Sequence, residues 1–320
     1  MIVVSANDGR WLPACLSSVL AHAGEVRLEL IVVDNASTDG TRELVEAEFP
    51  EARVVSSPNR GFAYGNNRGL EHASARYILL LNPDTEILDG TFQELIATLD
   101  ARPEIGLVGV RQIDSDGALL PTIRRFPSVA RALGEALLSE RWPIRPAWAG
   151  ERVLDSDTYN REQECDWTSG SFMLIRREAL LGAGVLDERF FLYSEETDLC
   201  LRVKRAGWGV HHLPRMTIRH HAGKGGVRPA LVAQDALSRK LYARKHLPPL
   251  RRRMFVGAVG LRHAIRAAGA RGEGARLALR TLLGRAAPPF IEPPPVAVAP
   301  VAAELDGDLK RRREHDPLFV

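Results

Sequence analysis

Cysteine is scarce in this chain. Cys15, Cys165 and Cys200 lie far apart and form no CxxC pair. That spacing argues against a disulfide framework and a cysteine zinc site, and points to a reducing, cytoplasmic compartment. Neither GxGxxG nor GxxxxGK[ST] occurs, which disfavours nicotinamide cofactors and P-loop nucleotide hydrolysis. Long apolar runs are also missing. The best candidate, residues 254–270, is broken by Arg262, His263 and Arg266 and does not read as a membrane span. No basic region precedes an apolar segment at the N-terminus, so no secretory signal is expected. No repeat and no nucleic-acid-binding motif are evident.

What is present is ordinary in amount and uneven in position. The 320 residues are 45% hydrophobic and 26% charged, as in a soluble globular protein of one large or two modest domains. The formal net charge is +3, yet residues 251–285 hold nine arginines against one acid, Glu273. Such a block reads either as a solvated helical face or as a surface for anionic lipid.

The N-terminal half alternates between two periodicities. Apolar runs at 2–4, 28–33 (LELIVV), 53–56, 77–81 (YILLL) and 106–110 read as strands, the nearly all-apolar ones as buried on both faces. Helical patterns at 11–23, 38–48, 61–73 and 90–100 separate them. This predicts an α/β fold with a doubly wound, mostly parallel sheet flanked by helices. After Gln112 come a turn at 114–117 and a Trp- and Pro-containing insertion at 126–148. Strands then follow at 172–175, 209–212 and 216–218, and helices at 178–181, 198–206, 228–246 and 252–283. The Pro/Ala-rich segment from 287 to 320 reads as a disordered tail.

Ligands of open parallel sheets bind beyond the carboxyl ends of the strands, and polar clusters fall there. Asp34 follows LELIVV, with Ser37 or Thr38 expected to cap the next helix. Asp34 itself suits hydrogen bonding to a nucleobase or ribose. Asn82-Pro83-Asp84 follows YILLL and reads either as a turn or as a divalent-metal site completed by substrate phosphates. Gly61 and Gly65 suit close approach of a phosphate at a helix start, and Arg60 is either a phosphate ligand or an ordinary helix-start residue. Asp166-Trp167 reads as a sugar platform or as a core tryptophan. His220 is a structural histidine or a metal neighbour, and His211 and His212 read as structural. Glu195, Glu196 and Asp198 crowd a strand-to-helix junction after Phe190, Phe191 and Tyr193. One carboxylate suffices for a helix N-terminus, so the surplus supplies a candidate general base.

Taken in order, VVDNASTDGT (32–41), PNRGFAYGNN (58–67), LLLNPDTEI (79–87), DWTSGSFMLIRREAL (166–180), LDERFFLYSEETDLCLRVKRAGW (186–208) and HHAGK (220–224) resemble glycosyltransferase family 2. These are inverting enzymes of the GT-A fold, and the likeness runs from about residue 1 to 226. The rhamnosyltransferase-like branch of cell-wall and O-antigen synthesis is the most similar, with galactofuranosyl transferases a neighbouring branch. The resemblance implies that Ser5, Asn7, Asp34, Asn35, Asn59, Gly61, Asn66 and Asn82 bind the nucleotide-diphosphate sugar, with Asp34 on the base. It implies that Asp84, with His220 nearby, holds Mg²⁺ or Mn²⁺. Glu196 would be the catalytic base supported by Glu195 and Asp198, while Asp166 and Trp167 would line the acceptor site. The acceptor would be a saccharide or lipid-linked saccharide at the inner face of the cell membrane, with residues 227–286 a basic helical extension against that surface. Ala6 stands where the family usually has an aromatic, and Glu196 where it often has Asp, which leaves the choice between Glu195 and Glu196 open. A sugar nucleotidyltransferase would need a Gly-rich basic loop after the first strand, which Ser5–Gly9 lacks. A non-catalytic binder would not need every carboxylate seen here.

Overall fold

The computed structural model describes residues 1–138, 146–221, 228–269 and 272–290. The first half winds as the periodicity predicts: β1 (Ile2–Ser5), α1 (Leu12–Ala21), β2 (Ile31–Asn35), α2 (Thr41–Glu48), β3 (Arg53–Ser57), α3 (Phe62–Leu70), β4 (Tyr77–Leu81), β5 (Thr85–Asp89), α4 (Phe92–Ala101) and β6 (Ile105–Ile113). The remainder is β7 (Ile123–Arg124), α5 (Val129–Leu137), β8 (Gln163–Glu164), β9 (Trp167–Thr168), β10 (Phe172–Arg176), α6 (Arg177–Ala183), α7 (Glu195–Arg205), β11 (Gly209–His220), α8 (Pro229–His246), α9 (Pro249–Ala267) and α10 (Glu273–Leu282).

The main sheet runs β3-β2-β1-β4-β10-β6-β11-β5, with β8 on β11. Its first four strands are parallel. Strand alternation divides their side chains between two cores. Val3, Val32, Tyr77, Leu79 and Leu81 pack under α1 and α4, beside Leu12, Leu16 and Leu95. Ile2, Val4, Ile31, Ile78 and Leu80 face α3, α6 and α7, beside Ala63, Leu180 and Leu199. Burial on both faces explains why these strands are apolar throughout.

The sheet is mixed beyond that point. β10 is antiparallel to both β4 and β6, because the chain re-enters the sheet there after the excursion at 114–171. β5 follows the Asn82-Pro83-Asp84 turn and pairs antiparallel with β11. The two short strands expected at 209–212 and 216–218 are one strand, and Pro214 lies within its register shift against β6, where a residue without an N–H is tolerated. The helix expected over 252–283 is two helices. Gly272 lies in the turn between them, and a Cβ there would come 2.6 Å from the Ala267 carbonyl.

Helices α8, α9 and α10 share a small core with α5, built from Ala132, Ala233, Phe255, Ala258, Ala278 and Leu282. The insertion and the C-terminal helices are thus one packed layer. Among the described residues no helix is long and apolar enough to cross a membrane. The expected boundary at 226 and the tail from 291 onward lie outside the described residues.

Candidate active site

Strands β1, β2 and β4 end at one edge of the sheet, and their loops are tied together there. Asn7 adopts a left-handed backbone (φ 65°). Its N–H donates to Ser37 Oγ at 3.0 Å, and its Oδ1 accepts from Thr38 N at 2.7 Å. Ser37 and Thr38 therefore bind the β1 loop and do not cap α2. The residue before α2 is Gly40, with no side-chain cap. Asp34 is buried opposite Ser5, and its Oδ1 accepts from Ser37 N at 3.1 Å.

The PNRGFAYGNN segment is tied to the interior. A Cβ at Gly61 (φ 98°) would come 2.1 Å from the Phe191 carbonyl, which itself accepts the Phe62 N–H at 2.8 Å. Glycine here permits contact with the loop leading to α7, and the first donor of α3 is already used. Asn59 Oδ1 accepts from Gly61 N, Asn35 Nδ2 donates to the Gly61 carbonyl, and Asn66 is fully buried with its amide on the Phe62 carbonyl. Arg60 lies over the ring of Tyr64.

Pairing of β5 with β11 sets His220 opposite Thr85. His220 Nε2 lies 3.3 Å from Asp84 Oδ1 and 3.4 Å from Asn82 Nδ2. Neighbouring His221 is held differently: Nε2 contacts Glu86 Oε1 at 2.7 Å, Nδ1 contacts Ser115 Oγ, and the ring stacks on Trp11. Asp8, which the sequence reading left out, belongs to this edge. Burial pushes its carboxyl up, and the charge of Asp84 adds to the shift. No group of three or more His, Cys, Asp or Glu side chains is placed to hold a metal among the described residues. The oxygen and imidazole donors of Asp84 and His220 nevertheless suit a divalent ion that takes its other ligands from phosphate and water. Residues 222–224 of the HHAGK motif lie outside the described residues.

Helix α7 begins at Glu195, three residues earlier than the pattern suggests, after two left-handed residues, Tyr193 (φ 70°) and Ser194 (φ 65°). Glu195 is buried. Glu196 is half-buried on the wall of a cavity of about 550 Å³. Neither Oε2 has a hydrogen-bond partner among the described residues. Burial, then the Glu196 charge, pushes Glu195 well up. Burial raises Glu196 to about 7, against the lowering influence of Arg124. A carboxyl poised near neutrality and open to a cavity has the properties of a general base.

Asp198 faces away from that task. It is fully buried, with Arg202 at 2.8 Å on one oxygen and Lys245 at 2.7 Å and His246 at 2.6 Å on the other. It anchors α8 to α7. Asp166 Oδ2 accepts from Phe126 N at 2.7 Å. Trp167 is 6% exposed, donates to the Arg125 carbonyl and lies beneath the Arg124 guanidinium. Its ring lines the cavity with one face covered, so it is largely a core tryptophan.

The segment leading into β10 lies between the two acidic regions. A Cβ at Gly170 would lie 3.6 Å from Glu196 Cβ, and the adjacent Ser171 carbonyl accepts from Asn82 N at 3.0 Å. Gly170 and Ser171 thus lie between Glu196 and the turn that carries Asp84, while Asp34, Asp84 and His220 do not line the cavity that Glu196 faces. Arg124, Tyr193, Arg228, Asp235 and His263 also line the cavity. Tyr193 falls in the 186–208 motif; Arg124, Arg228, Asp235 and His263 are scattered over 140 positions and share none, so no local signal marked them.

Residues 1–181 match the family model for glycosyl transferase family 2. The chain belongs to this family. It is a glycosyltransferase. An N-acetylglucosaminyl-diphospho-decaprenol L-rhamnosyltransferase of Mycobacterium tuberculosis is 30% identical over 236 residues, covering 69% of this chain and 75% of that protein. The rhamnosyltransferase WbbL of Escherichia coli K12 is 24% identical over 230 residues, 69% of this chain and 83% of its own length. Among solved structures, GalNAc-T7 with UDP, GalNAc and Mn²⁺ superposes with a TM-score of 0.55 at 13% identity, a likeness of fold. That alignment covers 80% of this chain, which spans about half (53%) of GalNAc-T7.

Proposed function

We propose that this glycosyltransferase moves L-rhamnose from dTDP-rhamnose to a hydroxyl of a lipid-linked saccharide, with inversion at the anomeric carbon. The sugar and acceptor classes follow from the relatives named rhamnosyltransferases, one of which acts on a diphospho-decaprenol. The chemistry rests on one observation: Glu196, raised to about 7, opens into a cavity, and Gly170 next to it is followed by Ser171, whose carbonyl accepts from Asn82 in the turn that carries Asp84.

The acceptor hydroxyl gives its proton to Glu196 as its oxygen attacks the anomeric carbon. The bond from that carbon to the diphosphate oxygen breaks on the opposite face, and the nucleoside diphosphate departs. Single displacement from the rear inverts configuration. Asp84 and His220 would hold a divalent ion, Mg²⁺ or Mn²⁺, which when bound supplies positive charge to the leaving diphosphate. Asp34 fits hydrogen bonding to the nucleotide from the end of β2. Burial holds the Glu195 carboxyl well above its ordinary range, which opposes a second negative charge beside the base.

The setting is the inner face of the cell membrane, as a peripheral contact. Leu250, Met254, Leu261 and Ile265 form an exposed stripe along α9, with Leu250 70% exposed, and Arg251, Arg253 and Arg266 are exposed beside it. Apolar and basic groups on one helix suit an anionic bilayer surface.

Incubation with dTDP-, UDP- and GDP-sugars and a synthetic lipid-diphosphate saccharide tests the proposal, with the product's anomeric configuration read by NMR. An α-linked rhamnoside from β-configured dTDP-rhamnose is expected. A product retaining the donor configuration would rule out the single displacement, and transfer only from another nucleotide sugar would rule out rhamnose.

A further inference from the structure

The cavity holding Glu196 extends well beyond the family's matched segment. Its far wall is α8 and α9, and its composition is unusual. Six arginines and four carboxylic acids line it, an excess of positive charge before any titration. The deepest arginines are neutralised: Arg239 pairs with Glu151 and with Glu135 at 3.1 Å, and Arg262 pairs with Glu135 at 3.1 Å. Arg228 and Arg266 are exposed, and neither guanidinium has an ion pair or hydrogen bond among the described residues.

His263 supplies an independent observation. It is 3% exposed, lines the same cavity, and neither ring nitrogen has a hydrogen-bond partner among the described residues. Burial, then the Arg262 charge, lowers it to about 4, so it is neutral and keeps one N–H to donate. A buried imidazole without partners is costly, and a ligand oxygen in the cavity would relieve it. Tyr193 adds a second neutral donor, since burial raises its hydroxyl to about 12.

We infer that this cavity is a subsite for the phosphate or diphosphate group of the acceptor, bound by Arg228, Arg266 and His263 while Glu196 on the same wall receives the acceptor hydroxyl. Guanidinium groups suit phosphate oxygens through paired, charge-assisted hydrogen bonds. Arg266 directly follows Ile265 of the exposed apolar stripe on α9. An anionic group bound there would carry its apolar chain out along that stripe. The inference rests on the acceptor-side reading of Glu196, and it extends the acceptor site to the C-terminal helices.

The test is the double variant R228A/R266A in the full chain, whose exposed side chains leave the core intact. For a saccharide acceptor linked through diphosphate, its KM rises at least about tenfold while kcat changes little. For the same saccharide on a neutral aglycone, KM is the same in both proteins. Calorimetry with inorganic pyrophosphate in the presence of a chelator, which needs no turnover, shows a matching loss of affinity. Equal KM values for the diphosphate acceptor in both proteins, with pyrophosphate binding unchanged, overturn the inference. So does a loss confined to plain anionic vesicles, which assigns the arginines to headgroups. Activity of E196Q equal to the unsubstituted enzyme would overturn the base assignment alone, leaving the pyrophosphate result to judge the subsite.

Discussion

Asp198, in the first turn of α7, and His246, in the last turn of α8, are joined at 2.6 Å with the carboxylate fully buried. The contact ties the helix that carries Glu196 to the C-terminal layer. Burial alone would push Asp198 up. The hydrogen bond from His246 and the charges of Arg202 and Lys245 outweigh it and leave the carboxyl lowered.

A lowered folded-state pKa contributes stability above the ordinary carboxylate range, and that stability is lost as pH falls through it. Asp187, lowered by Arg189 and Lys245 despite burial, acts in the same direction. Replacing Asp198 by Ala should cost about 3–5 kcal/mol at neutral pH, as expected when one partner of a buried charge cluster is removed. Urea unfolding checks this, and the difference from the parent should shrink towards pH 3.

Glu195 and Glu196 carry the opposite sign. Their raised folded-state pKa values contribute stability at low pH that is lost as pH rises through the folded value, about 7 for Glu196. The ionised base is needed for turnover, so kcat/KM should rise with a midpoint near 7 as this stability declines. E196Q should melt higher than the parent at pH 8 and about equally at pH 5. Thermal melts at the two values test that difference.

Gly61 and the Phe191 carbonyl approach so closely that alanine has no room, and the φ of 98° is unfavourable to any other residue. G61A should lose more than about 1 kcal/mol and displace the 191–194 loop that sets Glu196. Its kcat should fall more than its donor affinity. Intact kcat would contradict the role given to this contact.

Much of the sheet was legible because burial on both faces requires apolar strands, and YILLL has no other reading. β5 was not legible. Thr85–Asp89 looks like the tail of a turn, and its partner strand β11 lies over a hundred residues away. Asp34 and Glu196 lie at strand and helix ends and Asp84 in the turn after β4, as the sequence pattern placed them. Other residues were misread for physical reasons. Ser37 and Thr38 have the chemistry of helix caps, but Asn7, brought alongside by the parallel pairing of β1 and β2, competes for them. The Gly61 contact with the Phe191 carbonyl, from a segment over a hundred residues away, had no local signal either. Arg124 on β7, Asp235 on α8 and His263 on α9 meet only through the packing of elements far apart in the chain, which no local pattern encodes.

The Asp84–His220 pair should govern metal dependence. D84N and H220A should each weaken Mn²⁺-dependent binding of the nucleotide sugar about 10- to 100-fold or more, in line with loss of a ligand or its close support. Calorimetry with and without metal checks it. Chelation should reduce the parent to the variants' level.

The exposed stripe of α9 should give binding to vesicles that strengthens with anionic lipid and weakens with salt. Replacing Leu250 and Met254 by Ser should reduce it without changing the melting temperature. Binding that ignores anionic content would remove the membrane role.

The most direct measurement is single-turnover transfer by E196Q beside the parent enzyme, with donor affinity measured on the same samples. Removing a general base should lower the rate about 10²- to 10⁴-fold and leave nucleotide-sugar affinity nearly unchanged. Transfer by E196Q at the parental rate would contradict the account.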